Sequence, residues 1–275
     1  MKFRLAFVVT LAFALLGNAS IAFAGASTAT TYYVSLGDSL AAGTQPNLAV
    51  PGTDVLFTSD GYADQLFRTL QKKSPKLQLL KLGCPGETTA SMIAPDLPFE
   101  GRGAGFACNY PHGSQLAEAV NFLHAHRRFV TVVTIDIGPN DIFRGGGGAA
   151  IQANLPVILA ALREAAGPGI PIVGMNFYDP FLADLWFGAP SGFTAELARA
   201  IGFNDFVEAI YAGAGDPVAD VETAFSMTDT TLVGGVPLDV LRVCQWTWEC
   251  APAHNVHANA AGYGVIAKAF ASVIP

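Results

Sequence analysis

Residues 31–40 read Thr31-Tyr-Tyr-Val-Ser-Leu-Gly-Asp-Ser-Leu40 and combine a strand signal with a turn signal. The first six residues are mostly β-branched or aromatic, and the run stops at Gly37, as is typical of a buried strand that ends in a turn. Ser39 follows directly, where a serine either caps the next helix or presents its hydroxyl at the end of the strand. The stretch therefore predicts a strand that delivers a polar group to the edge of an α/β fold.

Further runs have the character of the first strand. They cover residues 77–82, 129–137 and 170–177, and a weaker run lies near residues 218–221. Because they are apolar on both faces, they are typical of parallel strands covered by helices rather than of a sheet with one solvated face.

Helical periodicity separates these runs. Apolar residues recur at three- and four-residue spacing in three segments, namely Tyr62, Leu66 and Leu70, then Leu116, Val120 and Leu123, then Ile151, Leu155, Leu159 and Leu162. A last helix is predicted over residues 260–273, and the expected N-caps are Ser59, Ser114 and Ser191. Strands that alternate with helices predict a single-domain α/β/α sandwich with a doubly wound, mostly parallel sheet of about five strands.

The N-terminus has the three parts of a signal peptide. Lys2 and Arg4 precede an apolar run over residues 5–16, and Ala22-Phe-Ala24 has the form of a signal-peptidase site. We expect cleavage after Ala24 and a mature domain over residues 25–275, secreted or periplasmic and without stable membrane insertion. An uncleaved anchor is the alternative.

The charge balance is acidic. Of the 15 Lys and Arg residues two lie within residues 1–24, which hold none of the 22 acids, so the mature net charge becomes −9. Because nucleic-acid binding needs a basic surface that neutralises phosphates, the balance argues against a nucleic-acid partner. No motif calls for a cofactor, and the sequence leaves the oligomeric state open.

Four cysteines lie in the mature part: Cys84, Cys108, Cys244 and Cys250. An even number in an exported chain predicts two disulfides, for which three pairings exist. We favour the local pairing, 84 with 108 and 244 with 250, because each loop then braces a segment beside a candidate catalytic cluster. A zinc site is the weaker alternative, since neither pair has the C-x-x-C spacing.

Four residues at or near strand ends supply the parts of an acyl-transfer site. Ser39 is the candidate nucleophile, and its own amide, the amide of Gly86 and the side chain of Asn140 are candidate oxyanion donors. His257 precedes the last predicted helix and is the candidate base. Each residue alone is explained as a cap or turn residue, but the predicted crossovers bring the first three to one edge of one sheet.

Three other features have competing explanations. His254 and His257 form a His-x-x-His pair, but no third ligand lies nearby in the sequence, so we expect no metal. Residues 145–148 are four glycines without the Lys-Ser/Thr of a phosphate loop, and we interpret them as a plain loop. The aromatic segment 179–187 is either core packing, which we favour, or a lid or acyl-chain wall.

The clusters together resemble the SGNH, or GDSL, hydrolases, a family of esterases, lipases and carbohydrate deacetylases. The stretch from Tyr33 to Gly43 looks like the first block of the family, which assigns the nucleophile to Ser39. Gly83-Cys-Pro-Gly-Glu-Thr-Thr89 looks like the second block, whose glycine would be Gly86.

The other two blocks follow in the same order. Gly138-Pro-Asn-Asp141 is similar to the third, with Asn140 as side-chain donor, and Val256-His-Ala-Asn-Ala-Ala-Gly-Tyr263 is similar to the last, with His257 as base. The resemblance extends over residues 31–275 and implies a flavodoxin-like sheet and ester hydrolysis.

The sequence departs from the family at one position. The last block usually reads D-x-x-H, but His254 stands where the aspartate that orients the base is expected. A backbone carbonyl from Cys244-Gln-Trp-Thr-Trp-Glu-Cys250, the side chain of Asn255, or a distant acid such as Asp179 remains to orient His257.

Few charges and aromatic loops suit a lipid or short-chain acyl ester as the small-molecule substrate. Relatives on the same scaffold also deacetylate polysaccharides, which makes an acylated glycan the second candidate. An inactive relative that acts as a binding module is the third reading.

Overall fold

The structure is a computed structural model that describes residues 29–55, 57–94, 108–144 and 146–275. The predicted signal peptide, residues 1–24, lies outside the described residues. Among the described helices, none has both the length and the apolar character needed to cross a membrane.

Short and long strands alternate with helices along the chain. The strands are β1 (Thr31–Gly37), β2 (Gln45–Pro46), β3 (Asp54–Val55), β4 (Leu77–Lys81), β5 (Val130–Asp136), β6 (Ile172–Met175), β7 (Val218–Ala219), β8 (Leu232–Val233), β9 (Val236–Pro237), β10 (Thr247–Trp248) and β11 (Asn255–Ala258). The α-helices are α1 (Ser39–Ala42), α2 (Tyr62–Gln71), α3 (Thr89–Ile93), α4 (Gln115–His126), α5 (Pro139–Phe143), α6 (Gly147–Ala166), α7 (Phe181–Gly188), α8 (Phe193–Ala214), α9 (Val221–Ala224), α10 (Leu238–Trp246) and α11 (Ala260–Val273), and a 3₁₀ turn spans Pro190–Gly192.

Five parallel strands form the central sheet in the order β4-β1-β5-β6-β7. These are the five predicted strands, and the α/β/α sandwich is confirmed. The order reverses between β1 and β5, so the switch point of this doubly wound sheet lies where the strands ending at Gly37 and Asp136 meet. The crevice that such a reversal opens places the residues after both strands side by side.

Helices cover both faces of the sheet. Five of the seven β1 residues and six of the seven β5 residues are buried, which explains why these strands are apolar on both faces. Helix α4 packs against α6, and α6 packs against α8. Helix α11 packs against α2. Ile151, Leu155 and Leu159 of α6 are buried, as the periodicity predicted.

The C-terminal helix is fastened to the N-terminal third of the domain. The Tyr263 hydroxyl donates to the Thr44 carbonyl (2.7 Å), and Gln65 Nε2 donates to the Ala260 carbonyl (2.8 Å). Phe270 stacks on Tyr62 with ring centroids 4.8 Å apart. Through these contacts the last helix holds the preceding strand β11 beside the start of the sheet.

Two expected N-caps are wrong, and one is confirmed. Ser114 accepts from the Ala117 amide and caps α4, as predicted. Ser59 does not cap α2, because Gly61 occupies that position and its Cα approaches Gly43 too closely for a side chain. Ser191 lies inside the 3₁₀ turn, and α8 begins two residues later.

The glycine tract is only partly a loop. Gly147 and Gly148 form the first residues of α6, so the expectation of a plain loop over 145–148 is wrong for these two. Gly145 lies outside the described residues. Gly147 has φ +61°, a conformation that glycine adopts without strain.

Both disulfides have the local pairing that the sequence favoured. Cys84 bonds Cys108 and Cys244 bonds Cys250. The first closes a loop of 24 residues, which stabilises the fold by about 3 kcal/mol through the restricted unfolded chain. The second joins α10 to the turn that follows β10.

Candidate active site

The turn after β1 places Ser39 at the switch point. Gly37 has φ +139°, and a Cβ there would overlap the side chain of Asp136 on the neighbouring strand, so only glycine fits. Asp38 then accepts from the Leu40 amide (2.9 Å) and caps α1, whose first residue is Ser39. The same local structure thus caps a helix and turns the serine toward the crevice.

One cavity of about 480 Å³ lies over this end of the sheet. Ser39, Asn140 and His257 line it, so the structure brings together three of the four predicted site residues. Most of the remaining wall is apolar and includes six aromatic side chains, those of Phe143, Phe177, Tyr178, Phe181, Phe203 and Phe206. The cavity therefore combines a polar end with an aromatic enclosure.

Gly86 is not among the residues that line this cavity. It lies in a tight turn after β4, with φ +75°, closed by a hydrogen bond from the Glu87 amide to the Cys84 carbonyl (3.1 Å). The Cys84 amide in turn donates to the Gly37 carbonyl (3.0 Å), which fixes this turn against the end of β1. Gly86 is therefore a partly exposed residue of a turn that is fixed against the end of β1.

A buried glutamine joins these two turns. Gln115 accepts from the Gly37 amide (2.6 Å) and donates to the Gly37 carbonyl (3.0 Å) and to Glu87 Oε2 (3.0 Å). Both Gln115 and Glu87 are fully buried. The sequence analysis missed this pair, although a polar residue directly after the N-cap Ser114 on a buried helix face was a usable signal.

Asp141 has a comparable structural role. Its carboxylate accepts from the Thr89 amide (2.9 Å) and from the Thr89 hydroxyl (2.6 Å), which joins α5 to the start of α3. Gln115 and Asp141 together hold the segments after β1, β4 and β5 in one arrangement.

Asn140 is oriented by a buried carboxylate chain. Its Nδ2 donates to Asp38 Oδ2 (3.1 Å), and the Tyr62 hydroxyl donates to Asp136 Oδ1 (2.5 Å) on the other side of the Asp38–Asp136 pair. Burial, followed by the adjacent Asp38 charge, raises the pKa of Asp136 well above its usual range. Burial also raises the pKa of Asp38, whereas hydrogen bonds from Asp136 and from the Leu40 amide lower it, so Asp136 holds a proton more readily than Asp38 does.

His257 lies on β11 with its ring almost fully buried. Its Nδ1 lies 2.7 Å from Asn255 Oδ1, and Asn255 Nδ2 donates to Asp54 Oδ1 (2.9 Å). Because an amide oxygen only accepts, Nδ1 carries the proton and Nε2 is left as the basic nitrogen. Asp54 Oδ2 lies 4.0 Å from Nδ1, so the acid acts on the imidazole mainly through Asn255.

Burial lowers the pKa of His257 to about 4, and the charge of Asp54 offsets part of this effect. The imidazole is therefore neutral at neutral pH, as a general base must be.

The sequence left three candidates to orient His257, and among the described residues Asn255 is the candidate that bonds the ring. Asp179 accepts from the Phe181 amide (2.8 Å) instead. Asp54 was missed, because a distant acid in a two-residue strand carries no sequence signal that separates it from other surface acids.

The aromatic segment 179–187 contributes both to the core and to the cavity lining. Leu182 and Ala183 are buried in the core, whereas Phe181 lines the cavity. Phe187 is 62% exposed and serves neither purpose. Phe203 and Phe206 of α8 complete the aromatic wall, and the sequence analysis did not single them out.

The model of the GDSL-like lipase/acylhydrolase family matches residues 35–265, from the first strand to the last helix. The chain belongs to this family. GDSL-like enzymes hydrolyse carboxylic esters, and the protein is a carboxylic ester hydrolase. No curated protein sequence matches the chain.

Solved structures with the same fold include GDSL-like lipases and acetylesterases. An extracellular lipase from Streptomyces rimosus is 18% identical, with a TM-score of 0.55 over 88% of this chain and 99% of the lipase. A carbohydrate acetylesterase from Sinorhizobium meliloti is 14% identical, with a TM-score of 0.54 over 88% and 97% of the two chains. At these identities the likeness shows the fold alone.

Proposed function

We propose that the protein is an exported serine esterase that cleaves esters of apolar, medium-length acyl chains, with Ser39 as nucleophile and His257 as general base. The observation that carries the proposal is the single cavity in which Ser39, Asn140 and His257 meet an aromatic wall. Export is supported by the signal-like N-terminus and by two disulfides, which form in oxidising compartments.

The reaction follows from the groups at the polar end of the cavity. Ser39 Oγ attacks the ester carbonyl carbon while His257 Nε2 takes the hydroxyl proton. The tetrahedral intermediate collapses, the ester C–O bond breaks, and His257 gives its proton to the leaving alcohol. Water then attacks the acyl-enzyme by the same proton path and releases the carboxylic acid.

The negative charge on the carbonyl oxygen needs donors that are already in place. Asn140 Nδ2 is the side-chain donor, and its bond to Asp38 fixes the orientation of the amide before substrate binds. The backbone amides of Ser39 and Gly86 are the other proposed donors. The buried Gln115 bonds hold the turns that carry these two amides at a constant separation.

Asn255 and Asp54 replace the usual acid of the triad. Asn255 accepts from Nδ1 and holds the ring, while Asp54 fixes the amide of Asn255 and supplies a negative charge that stabilises the imidazolium. Both are positioning residues, because neither touches the reacting atoms.

The pH profile of kcat/KM tests the role of His257. We expect activity to fall as pH drops through about 4, since protonation removes the base and burial lowers the pKa of His257 to about 4. The measurement is kcat/KM from pH 3.5 to 8 over a range in which the fold is intact by circular dichroism.

Asp54→Asn provides the matched control for this profile. The charge of Asp54 raises the pKa of His257, so its removal should move the acid midpoint to lower pH. A wild-type midpoint near 6.5, the ordinary value for histidine, would contradict a buried neutral base.

A series of p-nitrophenyl esters tests the substrate class. The aromatic wall predicts that kcat/KM rises from acetyl to butyryl and octanoyl esters, because each added methylene transfers apolar surface from water to the cavity. Phe206→Ala should flatten this dependence, whereas Phe129→Ala, a half-exposed phenylalanine outside the cavity, should leave it unchanged. Preference for acetyl esters, with deacetylation of acetylated xylan, would favour an acylated glycan instead.

A further inference from the structure

A second cavity is lined by residues of α7 and by the Cys244–Cys250 disulfide and the chain that leads to β11. Three potential metal ligands face it: Asp184 from α7, Glu249 after β10, and His254 before β11. The ligand atoms of the three side chains all lie within 4.8 Å of one another. None of these residues lines the ester cavity.

Glu249 is the buried member of this cluster. The residue is only 4% exposed, and its Oε2 is fully buried with no N–H or hydroxyl donor bonded to it among the described residues, its polar neighbour being the Asp184 carboxyl. A buried carboxylate oxygen without a donor is costly, and a second carboxylate, that of Asp184, faces the same space. Such a pair needs a proton or a cation between its oxygens.

We propose that Asp184, Glu249 and His254 bind a divalent transition-metal ion of the Zn²⁺ class, with water at the open position. Two carboxylate oxygens and one imidazole nitrogen suit this class, whereas Ca²⁺ takes six or more oxygen ligands. Ligands at about 2.0–2.2 Å from one tetrahedral Zn²⁺ lie roughly 3.5 Å apart. Small rotations of the exposed Asp184 and His254 side chains close the difference.

The proposal also accounts for the departure from the D-x-x-H block. His254 stands at the position of the usual aspartate, but it lines the second cavity, and Nδ1 of His257 bonds Asn255 instead. Its φ of +39° turns the chain between the Cys244–Cys250 disulfide and β11. A metal bound here joins α7 to the segment that leads into β11. Helix α7 begins with Phe181 of the ester cavity, and β11 carries the base His257.

The experiment is Zn²⁺ titration of the metal-stripped, oxidised protein by calorimetry, with metal content after dialysis as a second readout. We expect one Zn²⁺ per chain and a rise in Tm of about 5–10 °C at a free Zn²⁺ concentration of about 100 Kd. Glu249→Gln and His254→Ala should each weaken binding by roughly 100-fold or more. His124→Ala, which removes an exposed histidine 3.4 Å from Glu164, is the matched control and should bind as the wild type does.

Three results would overturn the proposal. They are no saturable Zn²⁺ binding by the folded wild type, Zn²⁺ binding that survives both ligand substitutions, and selective binding of Ca²⁺ that His254→Ala leaves intact. Folding of each variant is checked by its far-ultraviolet circular dichroism and Tm without metal. Because the readouts are stoichiometry and Tm, the result does not depend on the proposed esterase mechanism.

Discussion

Replacing Ser39 with alanine should lower kcat for ester hydrolysis by roughly 10⁴–10⁶-fold and leave the protein folded. The serine oxygen forms the covalent intermediate in the proposed mechanism, so its removal leaves only water and the oxyanion donors. Folding should survive, because Asp38 caps α1 through its own side chain and Ser39 lines the cavity. The measurement is release of p-nitrophenol from a butyryl ester, with Tm as the folding check.

Two further variants test whether the loss of activity in Ser39→Ala reflects loss of the nucleophile. His257→Ala should cost nearly as much as Ser39→Ala, and the double variant little more, because a nucleophile and its base act as one unit. Ser272→Ala is the matched control, since this hydroxyl donates to the Ala269 carbonyl on α11 far from the cavity. Activity of Ser39→Ala within tenfold of the wild type would refute the assignment of the nucleophile.

Replacing Asn140 with alanine should lower kcat by about 10²–10³-fold with a much smaller change in KM. The amide bonds the carbonyl oxygen most strongly when that oxygen carries negative charge, so the loss falls on the transition state rather than on substrate binding. Measurement of kcat and KM on the same ester separates the two effects.

The control for Asn140→Ala is Asn121→Ala. Asn121 is an exposed helical asparagine whose Nδ2 bonds the Ala117 carbonyl (2.8 Å), so its loss should not affect kcat. Asn140→Ala also removes one donor from Asp38, and a fall in Tm of a few degrees is compatible with the prediction. An unchanged kcat would exclude Asn140 from the oxyanion site, whatever the Tm.

The sequence predicted the sheet well because its strands have an unambiguous signal. Strands buried on both faces read as continuous apolar runs, and β1 and β5 are of this kind. Once β1 and β5 were located, the reversal in strand order brought Ser39 and Asn140 to one crevice. The placement of these two residues therefore followed from periodicity and topology rather than from side-chain detail.

The contacts that orient the site residues could not be predicted from periodicity and topology. Asp54 reaches His257 through Asn255, which lies 201 residues further along the chain than Asp54, and nothing local to Asp54 marks it. Gln115 is a buried polar residue on a helix, and its partners Gly37 and Glu87 emerge only when the turns meet. Such partners depend on tertiary packing, which local propensity does not encode.

The attachment of α11 to the beginning of the domain has a consequence for the timing of activity. Under the proposed mechanism, Ser39 leaves the ribosome early in synthesis. His257 comes into position beside Ser39 only after β11 and α11 dock through Tyr263 and Gln65. A chain whose synthesis has not yet reached the last strand and helix thus has a nucleophile without a base. On this mechanism the active site is complete only when the last helix has folded onto the first third of the domain.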